Sequence, residues 1–323
     1  MPNYFDVITI GGATQDTFFI SKNYSVYGDI LHLAWGEKFI VDDLFTDVGG
    51  GAANSAVALS RLGLKTAFWG KVGMDISGQV IAQRLKQEKV SSKFLIVDDK
   101  AQTSTSAIMV GNSGERSIVM YRGPNDDLLA HTKNFEGIKE TNWIYLSDLG
   151  ANTEKLTTEV IKLVKKEKLS LAFVPGQHQL KLGLSSLKSI LAVSKILILN
   201  IYESYTLLKG KFPGEDKSSC HFNDRDVKEM LREFSLLGPE KIVVTRDKCG
   251  VSCFDGVDFY ESQAINTKNV VDTTGAGDAF ASGFLAGIIK EKDIPTSLMW
   301  GNKNAGAVIS FYGAQHGLLR SLD

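Results

Sequence analysis

Phe5-Asp6-Val7-Ile8-Thr9-Ile10 is a mostly apolar, β-branched run that ends in Gly11-Gly12. Such a run, closed by glycine, predicts a buried first strand that feeds a loop. Lys65 to Trp69 predicts another strand. After Pro124 the pattern alternates. Trp143 to Leu146, Ser170 to Val174, Lys195 to Leu199, Lys241 to Thr245 and Val251 to Phe254 read as strands. Glu154 to Lys168 reads as a helix, with Leu156, Val160, Ile161 and Val164 at helical spacing, and Asp224 to Leu237 as another, closed by Gly238-Pro239. Asp75 to Glu88 predicts an amphipathic helix with Ile76, Val80, Ile81 and Leu85 on one side. Ala279 to Lys290 and Thr296 to Phe311 predict two closing helices. Strands alternating with helices predict an α/β fold with a parallel, doubly wound sheet. No repeat, low-complexity tract or linker divides the chain, so residues 1–323 read as one domain.

Residues 17–48 do not fit this rhythm. Phe18, Phe19, Tyr24, Tyr27, Trp35, Phe39 and Phe45 are scattered there among polar positions. The stretch is too long for a plain strand-to-helix connection, where roughly 2–6 residues is usual. Thr103 to Val110 and Glu115 to Tyr121 flank Gly111-Asn112-Ser113-Gly114, a strong hairpin signal. The expectation is a small accessory sheet, built from about 17–48 and 103–121, that covers one end of the main domain as a lid.

Lys plus Arg number 36 against 37 for Asp plus Glu. That balance argues against nucleic acid as the main partner, which calls for a basic stripe. No apolar run approaches the ~18 residues of a membrane span. Met1 to Asp6 lacks the basic and apolar regions of a signal peptide. Cys220, Cys249 and Cys253 make no disulfide framework and no zinc spacing, so they read as structural or incidental thiols in a reducing, cytoplasmic location.

The candidate chemistry gathers at loops. Asp272-Thr273-Thr274-Gly275-Ala276-Gly277-Asp278 runs straight into the apolar segment from Ala279. The first turn of a helix carries free N–H groups and the positive dipole end. Gly275 and Gly277 would let an anion approach closely. Asp278 at the mouth is poorly placed to bind phosphate, since like charges repel. It suits taking a proton from a hydroxyl that attacks the phosphate. A second glycine loop, Gly49-Gly50-Gly51-Ala52-Ala53-Asn54, enters a helix closed by Gly63. Asn54 could cap that helix or hold a ligand hydroxyl. Asp16 lies just past the first strand, where open α/β sheets place ligands, and could equally be a turn residue. Asn200 and Glu203 follow a buried strand. They could manage Mg²⁺ through water or be an N-cap with an acidic first turn. A dinucleotide site would need a G-x-G-x-x-G turn after the first strand, and none is present.

Together these stretches resemble the ribokinase-like (PfkB) carbohydrate kinases. The Gly49–Ala56 loop with Gly63 and Gly73 is similar to the family's first signature. Asp272–Asp278 is similar to its second signature without a mismatch. Asn200-x-x-Glu203 resembles its N-x-x-E motif, and Thr245–Gly250 its nucleotide-binding turn. The resemblance spans Asp16 to Gly313. It implies a three-layer αβα sandwich with a mostly parallel doubly wound sheet and a small β-sheet lid. It also implies transfer of the ATP γ-phosphoryl group to a primary hydroxyl of a sugar. Asp278 would be the base, and Gly275, Ala276 and Gly277 the anion hole. Asp16, Gly49, Gly50, Gly51 and Asn54 would hold sugar hydroxyls. Asn200, Thr245, Gly250, Gly277 and Asn302 would line the ATP site, and Glu203 would act on Mg²⁺ through water. Asp272 and Thr274, with carbonyls near Val308 and Gly313, would form a monovalent-cation site that K⁺ fills. Relatives imply a homodimer through the lid. Two features depart from the strict ribokinase pattern or fit it loosely. Ribokinases tend to carry a Lys where this chain has Gly51, and Asp148 aligns only loosely with a substrate-contacting acid. An aromatic-rich lid leaves a nucleoside kinase open. A catalytically silent sugar-binding regulatory protein is the reading from another class, with the intact Asp278 turn against it.

Overall fold

The computed structural model describes residues 4–322 except 29, 112–115, 129–137, 152, 211–221 and 268. Most of the expected Gly111–Gly114 turn and Cys220 therefore lie outside the described residues. An eight-stranded sheet forms the centre. Its order is β16 (Phe259–Ser262), β15 (Val251–Phe254), β14 (Lys241–Thr245), β13 (Ile196–Asn200), β12 (Ser170–Phe173), β11 (Thr141–Leu146), β1 (Phe5–Ile10) and β6 (Thr66–Trp69). From β14 to β6 every neighbour is parallel. β14, β15 and β16 pair antiparallel. The sequence reading had no reversal there. The short turn at Arg246–Gly250 leaves no room for the crossover that a parallel neighbour requires.

Alternate residues of each strand point to opposite faces, and both faces are covered. Ile8, Ile10, Ile144 and Leu146 pack in one core with Leu156, Val160, Leu187, Ile190, Met230 and Phe234. Those partners come from α3 (Thr153–Glu167), α5 (Gly183–Leu191) and α7 (Asp224–Ser235). Val7, Tyr145, Ile196, Ile198 and Val243 face a second core with Leu59, Phe280, Phe284 and Leu298. These belong to α1 (Gly51–Arg61), α8 (Ala276–Ile289) and α9 (Ile294–Val308). The result is the expected three-layer sandwich. α4 (Gln177–Lys181) and α6 (Ile201–Lys209) follow β12 and β13 directly.

α2 (Ile76–Gln87) turns only part of its expected apolar side inward. Ile76 is 78% exposed and Val80 37% exposed, while Gly78, Ile81 and Leu85 are buried. A Cβ on Gly78 would stand 2.2 Å from the Gly73 carbonyl oxygen. The closest approach falls on the smallest residue, which rotates the helix away from the widest apolar stripe.

The second sheet has four strands in the order β10 (Arg116–Tyr121), β9 (Thr105–Val110), β2 (Thr14–Ile20) and β5 (Asp43–Gly49). β9 and β10 pair antiparallel, as the hairpin signal predicts. β2 begins at Thr14, so Asp16 belongs to this sheet and pairs in register with Asp47. The rest of the 17–48 stretch holds the short β3 (Ser25–Tyr27) and β4 (Ile30–His32) pair. β7 (Lys71–Gly73) and β8 (Ile96–Asp98) form another small parallel pair. Among the cysteines, Cys253 is buried and free, whereas Cys249 is disulfide-bonded. The reading of Cys249 as a thiol is corrected accordingly. A low cysteine count rules out a framework but says nothing about one local pairing.

Candidate active site

The loops at the carboxyl ends of β1 and β11, the start of α1 and the start of α8 surround one cleft. Gly12, Asp16, Gly50, Gly51, Asn54, Thr274, Gly275 and Asp278 line it, with Arg122, Asn125 and Asp148. Ser106, Ile108, Ile118 and Met120 close it from the small sheet. Residues more than two hundred positions apart meet here because the fold puts strand ends and helix starts on one side of the sheet.

Helix α8 begins on a tight glycine turn. Its N-cap is Gly275, at φ 76° in the left-handed region. A Cβ there would fall 2.3 Å from the Ala314 Cβ, so only glycine fits this turn. The Ala276 amide donates to the Thr273 carbonyl at 3.3 Å. The Gly277 amide has no protein acceptor among the described residues. A Cβ on Gly277 would meet nothing within 4 Å. An open space in front of an unspent amide at a helix start is a place for an anion.

Asp278 sits in the first turn of the same helix. Its Oδ2 accepts from Asn54 Nδ2 at 2.9 Å. Protein surrounds the carboxyl on most sides, although it opens on the cleft. Burial pushes it up to about 6; the Asn54 bond opposes that shift, and Asp148 and Asp16 add to it. It is poised to bind a proton near neutral pH. Asp16 is 7% exposed, and its Oδ1 accepts from Thr14 Oγ1 at 2.9 Å. Burial raises it too, against the hydroxyls of Thr14 and Ser106 and together with Asp47 and Asp272. Gly49 lies behind Asp16, since a Cβ there would overlap Asp16 Oδ2 at 1.9 Å. Gly51 has Ser147 Oγ at 2.5 Å and Asp278 Oδ1 at 3.3 Å from its would-be Cβ. Any longer residue at 51 would intrude between Ser147 and Asp278.

The remaining expected residues lie outside this cleft. Asn200 ends β13 and pairs in register with Thr245 at the end of β14. Asn200 Oδ1 accepts from Glu203 N, and Glu203 Oε2 accepts from Asn200 N, both at 2.8 Å. This is a reciprocal capping box, so the N-cap alternative describes the local structure. Burial lifts Glu203 to about 7, opposed by the Asn200 amide and assisted by the charge of Asp278. Gly250 closes the turn after Thr245 at φ 88°, with the Ser262 carbonyl 2.3 Å from a would-be Cβ. Asn302 spends its amide hydrogens on Ser262 Oγ and the Gln263 carbonyl at 3.0 and 2.9 Å. Asp272 is 1% exposed. Its Oδ1 accepts from Thr274 N and Oγ1 at 2.9 and 2.7 Å, and its Oδ2 from Gly313 N at 3.1 Å.

Several residues in or behind the cleft carry no signal in the sequence. Asn125 pins the loop after β1, donating to the Ala13 carbonyl at 2.9 Å and accepting from Ala13 N at 3.3 Å. Arg122 bridges Asp126 and Asp148 at 2.9 Å each. Both residues lie just past β10, in a stretch with no glycine loop or motif spacing to mark it. Gln315, fully buried, donates from Nε2 to Asn54 Oδ1 at 3.0 Å.

A three-layer α/β sandwich whose small sheet closes over helix-start amides and a half-buried carboxylate has the build of a ribokinase-fold phosphotransferase. Residues 30–320 match the pfkB family carbohydrate kinase description, and the chain belongs to that family. Over 267 residues it is 31% identical to an uncharacterized sugar kinase of Archaeoglobus fulgidus, covering 83% of this chain and all (100%) of that one. The structure superposes on Arabidopsis thaliana ribokinase complexed with ribose and ATP at a TM-score of 0.80, with 22% identity and coverage of 98% and 96% of the two chains. It superposes on a Burkholderia thailandensis nucleoside kinase in complex with inosine at 0.78, with 19% identity and coverage of 97% and 95%. The expected enzyme class, an ATP-dependent carbohydrate kinase, stands with the family.

Proposed function

We propose that this chain, one kinase domain over residues 1–323, transfers the γ-phosphoryl group of ATP to a primary hydroxyl of a neutral sugar. One observation carries the reading. Asp278 shares a helix start with the open Gly277 amide and a cleft with Asn54 and Asp16. A hydroxyl held by Asp16 and Asn54 would lose its proton to Asp278 while the Gly275–Gly277 turn takes up charge on the transferring phosphoryl. The Ala276 amide, bonded to Thr273, contributes less than that of Gly277.

Charge in the cleft supports a neutral acceptor. Arg122 is its cation, already bridged to Asp126 and Asp148, while Asp16 and Asp278 add negative charge. A sugar phosphate would meet net repulsion. The apolar edge of Ile108, Ile118 and Met120 favours a second reading, a nucleoside whose base lies against the small sheet acting as a lid.

Asn200, Thr245, Gly250 and Asn302 would border ATP, along the adjacent ends of β13 and β14 and the turn beyond. Mg²⁺ suits the Glu203 position. A carboxyl lifted to about 7 by burial and by Asp278 gains from a nearby cation, and one of its oxygens stays committed to the cap. When bound, the ion would offset phosphate charge. Asp272 is a buried carboxylate whose three hydrogen-bond donors are all neutral, which suits a monovalent cation beside it and Thr274. Val119 and Tyr121 are exposed on the edge strand β10, on the side away from the cleft, and support a homodimer through the small sheet. No helix among the described residues is long and apolar enough to cross a membrane; we assign the chain to the cytoplasm on its family's build.

The deciding experiment is ADP release across pentoses, hexoses, sugar phosphates and nucleosides, with and without K⁺. Turnover with neutral sugars is expected. Preference for a nucleoside would select the second reading. Silence with every acceptor would support a regulatory sugar-binding protein.

A further inference from the structure

A line of side chains leads from the surface of α2 to Asp278. Arg84 Nη2 pairs with Asp47 Oδ1 at 2.8 Å, and Arg84 Nη1 donates to Gln315 Oε1 at 3.1 Å. Gln315 Nε2 donates to Asn54 Oδ1 at 3.0 Å, and Asn54 Nδ2 donates to Asp278 Oδ2 at 2.9 Å. An amide can be turned over, exchanging its oxygen and nitrogen, at little steric cost. A guanidinium has donors alone and keeps its charge. Arg84 therefore forces the Gln315 oxygen toward itself. The Gln315 N–H must then face Asn54, so the Asn54 oxygen faces Gln315 and the Asn54 N–H faces Asp278. The donor-only guanidinium at one end and the acceptor-only carboxylate of Asp278 at the other require the same direction of every bond in the line.

We propose that Arg84 and Gln315 are positioning residues that lock the Asn54 amide with its N–H toward Asp278, holding that carboxylate ready to accept a proton. The proposal rests on the role of Asp278 as the base. Asp47 anchors the outer end and lies on β5 of the small sheet, directly opposite Asp16 in the register. Gln315 is held independently, because its own carbonyl accepts from Arg61 Nη1 at 2.7 Å. Its side chain therefore has a fixed origin from which to reach both neighbours.

Gln315→Glu tests the line. The variant keeps size and shape and still accepts from Arg84, but it has no hydrogen to give Asn54. Asn54 then stands between two acceptors, and the new carboxylate draws its N–H away from Asp278. The readout is the titration of the aspartate side chains labelled with ¹³C at Cγ, in protein without substrate, with the Asp278 signal assigned through Asp278→Asn. Loss of that donor should move the Asp278 midpoint upward by about one pH unit or more. Asp16, Asp148, Glu203 and Tyr145 also act on Asp278, and all remain in place. Arg84→Met should move the midpoint in the same direction but less, since Gln315 is then free to adopt either orientation. In an Asn54→Ala background, adding Gln315→Glu should produce no further shift. An unmoved midpoint in Gln315→Glu overturns the proposal. So does a shift that persists without Asn54, which would be the charge of Glu acting through space. Because the titration needs no turnover, failure of the kinase reading would show separately, as silence of the wild-type protein in the ADP-release screen.

Discussion

At the scale of single residues, the electrostatics of Asp278 decide what the cleft can do. The carboxyl must be ionised to take a proton from a hydroxyl, and burial holds it at about 6. Turnover should therefore rise with pH through that region and level off above it, as a pH profile of kcat would record. In the proposed role, acid conditions silence Asp278 by protonating it. Asp278→Asn keeps the shape and the Asn54 contact but cannot take the proton. It should lower kcat by at least the ~10²–10⁴ ascribed to general-base help, with sugar affinity by calorimetry little changed. Retained turnover in that variant would remove Asp278 from the mechanism. Asp16→Ala should act on the other kinetic constant. It removes the carboxylate proposed to hold a sugar hydroxyl and should raise the sugar KM sharply while leaving a smaller mark on kcat. An unchanged KM would leave Asp16 as packing beneath Gly49.

At the scale of elements, the turn from Asp272 to Asp278 shows why some structure is readable in a chain and some is not. Its glycines announce themselves because each answers a local steric demand. Gly275 takes φ 76° with Ala314 packed against it, and Gly250 takes φ 88° over the Ser262 carbonyl. Such demands leave residue types at fixed spacing, so the turns at Gly275 and Gly250 and the glycine loop at Gly49–Gly51 were legible as tight backbone turns. The alternating apolar runs were legible too, because both sheet faces are buried. Arg122, Asn125 and Gln315 were not. Their roles depend on where distant strands and loops come together, and neither period nor composition encodes that. On α2 the inward Ile81 and Leu85 were legible, but Ile76 and Val80 were misplaced for the same reason, since tertiary approach at Gly78 outweighed the full apolar stripe. Gly275→Ala must place a methyl on Ala314 and strain a left-handed turn, so chemical denaturation should show a loss of about 1–3 kcal/mol. Phosphoryl transfer should fall with it, because the Gly277 amide is aimed by that turn.

At the scale of the whole molecule, the cleft is a local conflict with stability, and pH exposes it. Asp278, Glu203, Asp16 and Asp148 are all raised, each chiefly by burial. Carboxyls raised in the folded state bind protons more tightly there than in the unfolded chain. Between the two pKa values the folded protein holds more protons, so these groups make stability fall as pH rises. Glu88, held down first by its hydrogen bond from Arg61, works in the opposite direction and favours the fold as pH rises through the acid range toward 4.5, with its gain complete above that. Total stability mixes both signs, but a difference between variants isolates one group. Asp278→Asn removes a carboxyl that titrates from 3.8 when unfolded to about 6 when folded. The gain in melting temperature of the variant over the wild type should be small near pH 4, grow as pH rises toward about 6, and stay level above. Melting curves of the two proteins across that range measure it directly. A difference independent of pH would mean that Asp278 is not desolvated by the cleft. The same group would then lack both the strain that costs stability and the raised proton affinity that suits it to catalysis.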